Sequence, residues 1–202
     1  MTPGHASVET LASYAAGALP DGMDLLVLGH VARCGRCRAL LSRIETLCGA
    51  LLAECAEPCP PLDCARALAR LDATPDATAR EMPAGVPRAL PPALTEALAG
   101  RVPEVAWHPL APGLDEYRFE DVAPGGLLLV RGAPGRRVPA HRHRGQEAVL
   151  VLQGAMDDGG IVLRAGDFAL NDEEAHAPEI LGDEPCVCLI LLTAPIEFTE
   201  AG

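Results

Sequence analysis

The sequence predicts an α+β protein of two domains, a small all-α helical bundle followed by an all-β barrel. The first observation is a change of pattern: up to about residue 73 apolar residues recur at helical spacing, whereas later residues form short β-type runs bounded by Gly and Pro. The second is TPDATAREMPAGVPRALPP, a stretch of Pro and small residues between the two patterns. We expect a helical domain at 1–75, a linker at 76–100 and a barrel at 101–195.

Four helices are expected in the first domain. Ser7 to Ala18 is rich in Ala and Leu and ends in the turn residues GALPDG. A second helix contains Leu25 and Val31, and PLDCARALARLD forms a short fourth helix. Between them, a long third helix follows Cys34, and we expect its apolar face to be buried; that face consists of Leu40, Leu41, Ile44, Leu47, Cys48 and Leu51.

Five short runs predict the strands of the second domain. Each is apolar or alternating and is bounded by turn residues, which is typical of a β-sandwich or barrel. The runs are EYRFEDV, GLLLVRG, EAVLVLQG, GIVLRAGD and CVCLILLT.

The charge balance narrows the function classes. The 202 residues carry a net charge of −12. The sequence contains no Lys, so its 16 Lys and Arg positions are all Arg. This acidic charge balance argues against a nucleic-acid-binding surface, because such surfaces neutralise phosphates with basic side chains. An acidic surface suits a basic protein partner, or serves solubility alone.

The sequence also predicts where the chain works. Its longest apolar runs are far shorter than the roughly 18 residues that cross a bilayer, and its N-terminal segment lacks the basic region of a secretory signal. We therefore expect a cytoplasmic protein without membrane contact. Because thiols stay reduced there, the eight Cys are expected to be ligands, redox sensors or core residues.

The stretch HVARCGRC, residues 30–37, holds potential metal ligands at close spacing. A helix places His30 and Cys34 on one face, and Cys37 completes a C-x2-C pair that can hold one ion. His5 lies just before the first helix, whose start lies beside the end of the second helix if the two are antiparallel. We expect these four residues to bind Zn²⁺ tetrahedrally, which would stabilise a bundle of roughly 70 residues with a small core.

Two other interpretations of HVARCGRC stay open. One is an incidental His with two surface cysteines at a helix end. The other is a redox C-x2-C pair, although such pairs usually follow a strand in a βαβ unit, which this region does not predict.

The N-terminal half resembles the zinc-binding anti-sigma domain, which carries H-x3-C-x2-C with a further His about one helix upstream. The resemblance covers roughly residues 1–75. It implies a domain that inactivates sigma factors of the extracytoplasmic-function type by wedging its helices between the two sigma regions that bind DNA and polymerase.

A second group of potential ligands lies in GRRVPAHRHRGQEAVLVLQG. His141 and His143 are two residues apart, so a strand directs both to one face. Glu147 follows a short turn, and we expect its strand to pair with the strand of the two His. The three side chains would then face one ion inside the barrel. Solvent-exposed His residues on a polar loop are the alternative.

This spacing, G-x5-H-x-H-x3-E-x6-G from Gly135 to Gly154, matches the first signature of the cupin fold at every position. The second signature is looser: LRAGDFALNDEEAHAPEI has its Gly-Asp turn, but Arg164 stands where many cupins have Pro. The resemblance implies a cupin barrel with His176 as the fourth ligand. Three His and one carboxylate suit Zn²⁺ or another divalent transition metal; a cupin that keeps the ligands and stays empty is the alternative.

The two motifs in this order resemble the ChrR family of anti-sigma factors over nearly the whole chain. The resemblance implies a non-enzymatic protein in a one-to-one complex with a sigma factor of the extracytoplasmic-function type, without direct nucleic-acid binding. It also implies release under singlet-oxygen or organic-peroxide stress. In that family the N-terminal domain suffices for inhibition and the cupin domain is needed for the response.

Two questions remain open at this point. Cys186 and Cys188 lie two apart on one strand face, as an oxidation-sensitive pair or as two small core residues. The competing function is a metal-dependent cupin dioxygenase with an appended zinc domain. The first motif favours regulation, because a cupin enzyme on its own has no use for it.

Overall fold

The computed structural model describes residues 4–20, 22–55, 65, 68–69, 106–119, 125–172 and 175–199. The helices are α1 (Val8–Ala15), α2 (Met23–Arg33) and α3 (Gly35–Cys55). The strands are β1 (His108–Ala111), β2 (Leu114–Phe119), β3 (Gly126–Gly132), β4 (His141–His143), β5 (Gln146–Gln153), β6 (Ala155–Asp158), β7 (Ile161–Arg164), β8 (Phe168–Asp172), β9 (Glu179–Leu181), β10 (Cys186–Leu192) and β11 (Ile196–Phe198). The predicted linker and most of the predicted fourth helix lie outside the described residues.

Local interactions define the helix ends. The hydroxyl of Ser7 caps α1 by accepting the backbone N–H of Thr10 at 3.1 Å. Cys34 has an extended backbone, with φ −91° and ψ 102°, and therefore ends α2 before α3 begins at the next residue. Arg38 of α3 donates to the carbonyl of Val31 at 3.0 Å, which satisfies a free carbonyl at the end of α2. The chain thus turns sharply at a predicted metal ligand.

The strands form one large antiparallel sheet and two smaller ones. The six-stranded sheet has the order β1-β2-β3-β10-β5-β8, the three-stranded sheet has the order β7-β6-β9, and β4 pairs with β11. The predicted α+β class, helices followed by an all-β domain, is confirmed. No helix in the described part of the chain is long and apolar enough to cross a membrane.

Both faces of the large sheet are covered, which explains why β5 and β10 are apolar at successive positions. On one face, Leu150, Leu152 and Leu189 belong to a buried cluster that also contains residues of all three helices. On the other face, Val149, Val151 and Cys188 pack against the three-stranded sheet.

The helices therefore lie directly against the barrel, in addition to any connection through the linker. Helix α2 makes the main contact, packing on β5, β8 and β10. Helix α2 is buried on most of its sides, whereas a surface helix buries only one apolar stripe. The buried residues of α2 are Met23, Leu25, Leu26, Val27, Gly29, His30 and Val31.

The apolar face predicted along α3 is buried only in its first half. Leu41 is buried, whereas Leu47 and Leu51 are 66% and 61% exposed. Cys48 is also exposed, so the expectation that it lies in the core is wrong. The reason is length: α1 and α2 have 8 and 11 residues, and α3 has 21, so it extends past both.

Candidate metal centres

The N-terminal candidate centre contains His5, His30, Cys34 and Cys37, whose ligand atoms all lie within 4.8 Å of one another. His5 precedes the cap of α1, His30 lies in the last turn of α2, Cys34 separates α2 from α3, and Cys37 lies in the first turn of α3. The structure thus brings together all four predicted ligands from three helix ends.

The distances in this centre suit a tetrahedral metal. Nδ1 of His5 lies 3.3 Å from Sγ of Cys34 and 3.7 Å from Sγ of Cys37. Zn–S bonds of ~2.3 Å and Zn–N bonds of ~2.0 Å in tetrahedral geometry separate such atoms by about 3.5 Å. One of the two observed N–S distances is slightly shorter than this value and the other is slightly longer.

The hydrogen bonding of His30 also fits a metal ligand. Its Nδ1 donates to the carbonyl of Gly166 at 2.6 Å, and its Nε2 is buried without a hydrogen-bond partner among the described residues. Burial lowers the pKa of His30, so the ring is neutral and Nε2 carries a free lone pair. Ligating His residues usually donate their second N–H to a carbonyl or carboxylate in this way.

The second candidate centre lies inside the barrel and contains His141, His143, Glu147 and His176, with ligand atoms again within 4.8 Å. Nε2 of His176 lies 3.0 Å from Nε2 of His141 and 2.7 Å from Nε2 of His143. Oε2 of Glu147 lies 3.6 Å from Nε2 of both His143 and His176. Three imidazoles and one carboxylate therefore converge on one point.

The hydrogen bonds that His141 and His176 make through Nδ1, on the side of each ring away from that point, favour a cation there. Nδ1 of His141 donates to the carbonyl of Pro139 at 2.9 Å, and Nδ1 of His176 donates to Oδ1 of Asp158 at 2.6 Å. If both rings are neutral, their Nε2 lone pairs face each other across 3.0 Å. Either a proton on His176 or a metal ion between the rings removes that repulsion.

The electrostatics of the barrel centre also fit a divalent metal. Burial, with the neighbouring rings, lowers the pKa of His143 to about 4, and burial lowers the pKa of His141. Burial raises the pKa of Glu147. The site disfavours a charge on His141 and His143 and an isolated carboxylate at Glu147, and a bound cation would take the neutral imidazoles and stabilise the carboxylate.

Comparison with known proteins identifies the family to which the chain belongs. The family described as the ChrR cupin-like domain matches residues 95–195. The anti-sigma-E factor ChrR of Cereibacter sphaeroides is 34% identical over 97% of this chain and 92% of its own length. This chain belongs to the ChrR family of anti-sigma factors.

A solved structure agrees with this assignment to the ChrR family. The crystal structure of Rhodobacter sphaeroides SigE in complex with the anti-sigma ChrR matches with a TM-score of 0.71 and 32% identity. The match covers 92% of this chain and 96% of that chain, so it includes both the helices and the barrel.

One predicted feature of the cupin centre in this ChrR-family chain is wrong. Strand β4, which carries His141 and His143, pairs with β11, while the strand of Glu147 pairs with β10 and β8. The short turn between β4 and β5 moves the chain from one sheet to another. The ligands therefore converge across the barrel interior, and a backbone bridge between His141 and His176 adds the fourth.

Sequence reasoning missed two polar residues beside the cupin centre. Asp158 accepts from His176, and Nδ2 of Asn171 donates to Glu147 at 3.0 Å and to Asp158 at 3.1 Å. Burial opposes the charge of Asp158, but the hydrogen bond and charge of His176 lower its pKa overall. The sequence does contain a sign of Asn171's role, because this polar residue directly follows the apolar residues of the run FALN.

Cys186 and Cys188 lie in the core between the two sheets, with their Sγ atoms 3.7 Å apart. Sγ of Cys188 also lies 3.7 Å from Sδ of Met156. The hydrogen bond to Cys186 and burial raise the pKa of Cys188 far above its usual value. All three sulfurs line a cavity of about 70 Å³ whose wall includes His141 and Glu147.

Proposed function

We propose that this chain is an anti-sigma factor that binds one sigma factor of the extracytoplasmic-function type and keeps it from transcription. The observation that carries the proposal is whole-chain similarity: ChrR of Cereibacter sphaeroides matches over 97% of this chain, and a solved ChrR is in complex with SigE. A likeness confined to the barrel would leave the function open, because one fold hosts many functions.

The helices offer a surface for such a partner. Leu47, Leu51 and Leu52, in the second half of α3, are between 61% and 70% exposed. Adjacent exposed leucines on one helix are typical of a protein-binding surface. The net charge of −12 complements a basic, DNA-binding protein and steers it towards the chain.

In this proposal the domains at 1–75 and 101–195, joined by a linker at 76–100, have separate roles. The N-terminal centre binds Zn²⁺ through His5, His30, Cys34 and Cys37. The metal would join the three helix ends that carry these ligands and so hold α1, α2 and α3 in the shape that contacts the sigma factor. The chain acts in the cytoplasm, without contact to nucleic acid or membrane.

Co-expression with candidate sigma factors from the same source tests the proposal. We expect one sigma factor to co-purify in a one-to-one complex and transcription by it to stop in vitro. Leu51→Asp should weaken the complex, because it places a charge on the proposed surface. Ile161→Asp is the matched control, since Ile161 is a 46% exposed apolar residue of the barrel. If no sigma factor co-purifies and transcription is unaffected, the proposal is wrong.

We further propose that the cupin centre, with Zn²⁺ or another divalent transition metal, senses singlet oxygen or organic peroxide. The cavity of about 70 Å³ would bring a small oxidant next to two of the ligands, His141 and Glu147, and to Cys186 and Cys188. In one reaction the two thiols form a disulfide while a hydroperoxide becomes an alcohol and water. The raised pKa of Cys188 makes that reaction slow, because the thiolate is the nucleophile.

Two variants separate the centre from the cysteines as the sensor. His143→Ala removes a ligand, whereas Cys186→Ser with Cys188→Ser removes both thiols and keeps their size. The complex is treated with tert-butyl hydroperoxide or with photosensitised singlet oxygen, and sigma release is followed. Loss of release only in His143→Ala assigns sensing to the metal centre; loss in the cysteine variant assigns it to the thiols. Release from both variants at the unmodified rate contradicts sensing in the cupin domain.

The alternative of a cupin dioxygenase has one observation in its favour, the four-ligand centre beside a cavity. An assay of oxygen consumption by the iron-loaded chain with small carbonyl substrates would detect the enzyme if it exists.

A further inference from the structure

The helical metal centre receives structural support from the barrel. His30 of α2 donates to the carbonyl of Gly166, which lies in the turn between β7 and β8, at 2.6 Å. Both partners of this bond are buried, and it joins the two parts of the chain across 136 residues. A carbonyl at Nδ1 fixes the tautomer and the plane of the ring.

The same turn also contacts the segment of the other N-terminal ligand, His5. The backbone N–H of Phe168 donates to the carbonyl of Gly4 at 3.3 Å. The turn therefore contacts one candidate ligand directly and the residue preceding another.

Two features hold the turn in its shape. Gly166 has φ +98°, a backbone conformation that favours glycine. Oδ2 of Asp167 accepts the backbone N–H of Arg164 at 2.8 Å and closes the turn. Strand β8 begins at Phe168 and contains Asn171, which donates to Glu147 of the cupin centre. One strand thus contacts the surroundings of both centres.

We propose that the β7–β8 turn, Gly166 to Phe168, is a positioning element of the N-terminal metal centre, so that the barrel sets the metal affinity of the helical domain. This inference rests on the proposed Zn²⁺ site. Without the turn the four ligands remain, but His30 and His5 lose their fixed orientation. The effect is on the strength of metal binding, which is consistent with a helical domain that can act alone.

Cobalt substitution in the full chain tests this inference. Thiolate-to-cobalt charge-transfer absorption reports the N-terminal centre alone, because the ligand set of the cupin centre contains no thiolate. Zinc competition against cobalt then gives the zinc affinity of that centre. We compare Gly166→Ala with Gly182→Ala, a turn glycine with φ +81° and open space around it. Both changes place a Cβ at positive φ, but only Gly166 carries the carbonyl that accepts from His30, and its new Cβ would lie 3.4 Å from Cβ of Arg33.

A second pair of variants tests the inference in case Gly166→Ala does not fold. Asp167→Ala opens the β7–β8 turn, and Asp157→Ala removes the equivalent bond to the backbone N–H of Gly160, 2.7 Å long, in the β6–β7 turn. We expect Gly166→Ala and Asp167→Ala to lower zinc affinity by ~10–100-fold and to shift the cobalt ligand-field bands. The Gly182 and Asp157 variants should keep the zinc affinity within twofold of that of the unmodified chain and should leave the band positions unchanged.

The outcomes are distinct. If the unmodified chain shows no thiolate-to-cobalt band, the N-terminal metal site itself is wrong, and this inference with it. If that band is present and Gly166→Ala and Asp167→Ala match their controls in affinity and in band position, the site stands and the positioning role is overturned. If Gly166→Ala does not fold, Asp167→Ala alone decides.

Discussion

The two candidate metal centres differ in what holds their ligands. In the N-terminal centre, His5, Cys34 and Cys37 lie at the ends of three helices, and these helices also share one buried apolar cluster. In the barrel, His141 and His176 are joined by a backbone bridge, and Glu147 lies on a strand paired on both sides. We propose that a metal joins the three helix ends in the first centre, whereas backbone pairing between strands brings the ligands of the second together.

The donor atoms differ as well. Two thiolates are soft ligands that select Zn²⁺ over Mg²⁺ or Mn²⁺, whereas three imidazoles and a carboxylate accept most divalent transition metals. A closed four-ligand thiolate site is typical of a structural role. A buried site beside a cavity, with less selective donors, suits a role in which the metal meets a small molecule.

The largest effect should follow removal of an N-terminal thiolate. Cys37→Ala takes away a ligand that is 2% exposed, and we expect the loss of about one zinc equivalent, partial unfolding of the helices and loss of sigma binding. Structural zinc contributes ~10–16 kcal/mol to the folding of small zinc domains. Metal analysis, circular dichroism and co-purification measure the three effects.

Cys48→Ala is the matched control on the same helix. Cys48 is exposed and lies outside the cluster, so both metal equivalents and the complex should remain. Equal behaviour of the two alanine variants would show that the proposed contrast between the centres is wrong.

Removal of a barrel ligand should have a smaller effect on the fold. His143→Ala should release the second metal equivalent and leave sigma inhibition intact, because the sheet and its core persist without the metal. We expect a loss of about 1–3 kcal/mol in the free energy of unfolding, the usual range for a buried substitution. His108→Ala, at an exposed position on β1, is the control. If His143→Ala abolished inhibition, the division of roles would fail.

Acid should release the N-terminal metal first. Two thiols must each regain a proton as the metal leaves, and burial raises the pKa of Cys37, so affinity falls steadily as pH falls through neutrality. In the barrel, the pKa of His143 is about 4, so this ring is neutral at pH 5.5 and takes up no proton. Burial opposes the charge of His176, but Asp158 raises its pKa overall, so a proton on this ring competes with the metal as the pH falls.

We therefore expect the metal affinity of the N-terminal centre to fall more steeply than that of the barrel centre between pH 7 and pH 5.5. Chelator competition at both pH values, with the thiolate-to-cobalt band as the reporter of the first centre, measures the two affinities. Earlier release from the barrel centre would reverse the predicted order.

Short-range spacing explains why the ligands were predictable. H-x3-C-x2-C places its residues around one sharp turn between two helices, H-x-H-x3-E places its residues on two strands joined by a short turn, and a resemblance supplied His176. The partners of those ligands were not predictable in the same way. The carbonyl of Gly166 leaves no mark in the side-chain pattern, and the contacts of Asp158 and Asn171 depend on which strands meet in the barrel.

The sequence of α2 contained evidence for its packing against the barrel, but we interpreted that evidence incorrectly. MDLLVLGHV in α2 has a single charged residue, and a helix that is apolar on most sides is buried on most sides. We predicted a bundle face, whereas the second side of α2 packs on the sheet. For α3 the periodicity was correct, but it could not reveal that Leu47 and Leu51 extend beyond the neighbouring helices.

The smallest expected effect concerns a residue that holds a barrel ligand without being one. Asp158→Asn keeps an oxygen that can accept from Nδ1 of His176 but removes the charge, and we expect the affinity of the second centre to fall by ~10–100-fold. The pKa of His176 should fall too, so metal binding there should depend less on pH than in the unmodified chain. Asp157→Asn, at the preceding position, is the control because its side chain accepts the backbone N–H of Gly160 in a turn and does not contact His176. Unchanged affinity and an unchanged pH profile in Asp158→Asn would mean that the barrel fixes His176 through its backbone alone, which would sharpen the contrast with the N-terminal centre.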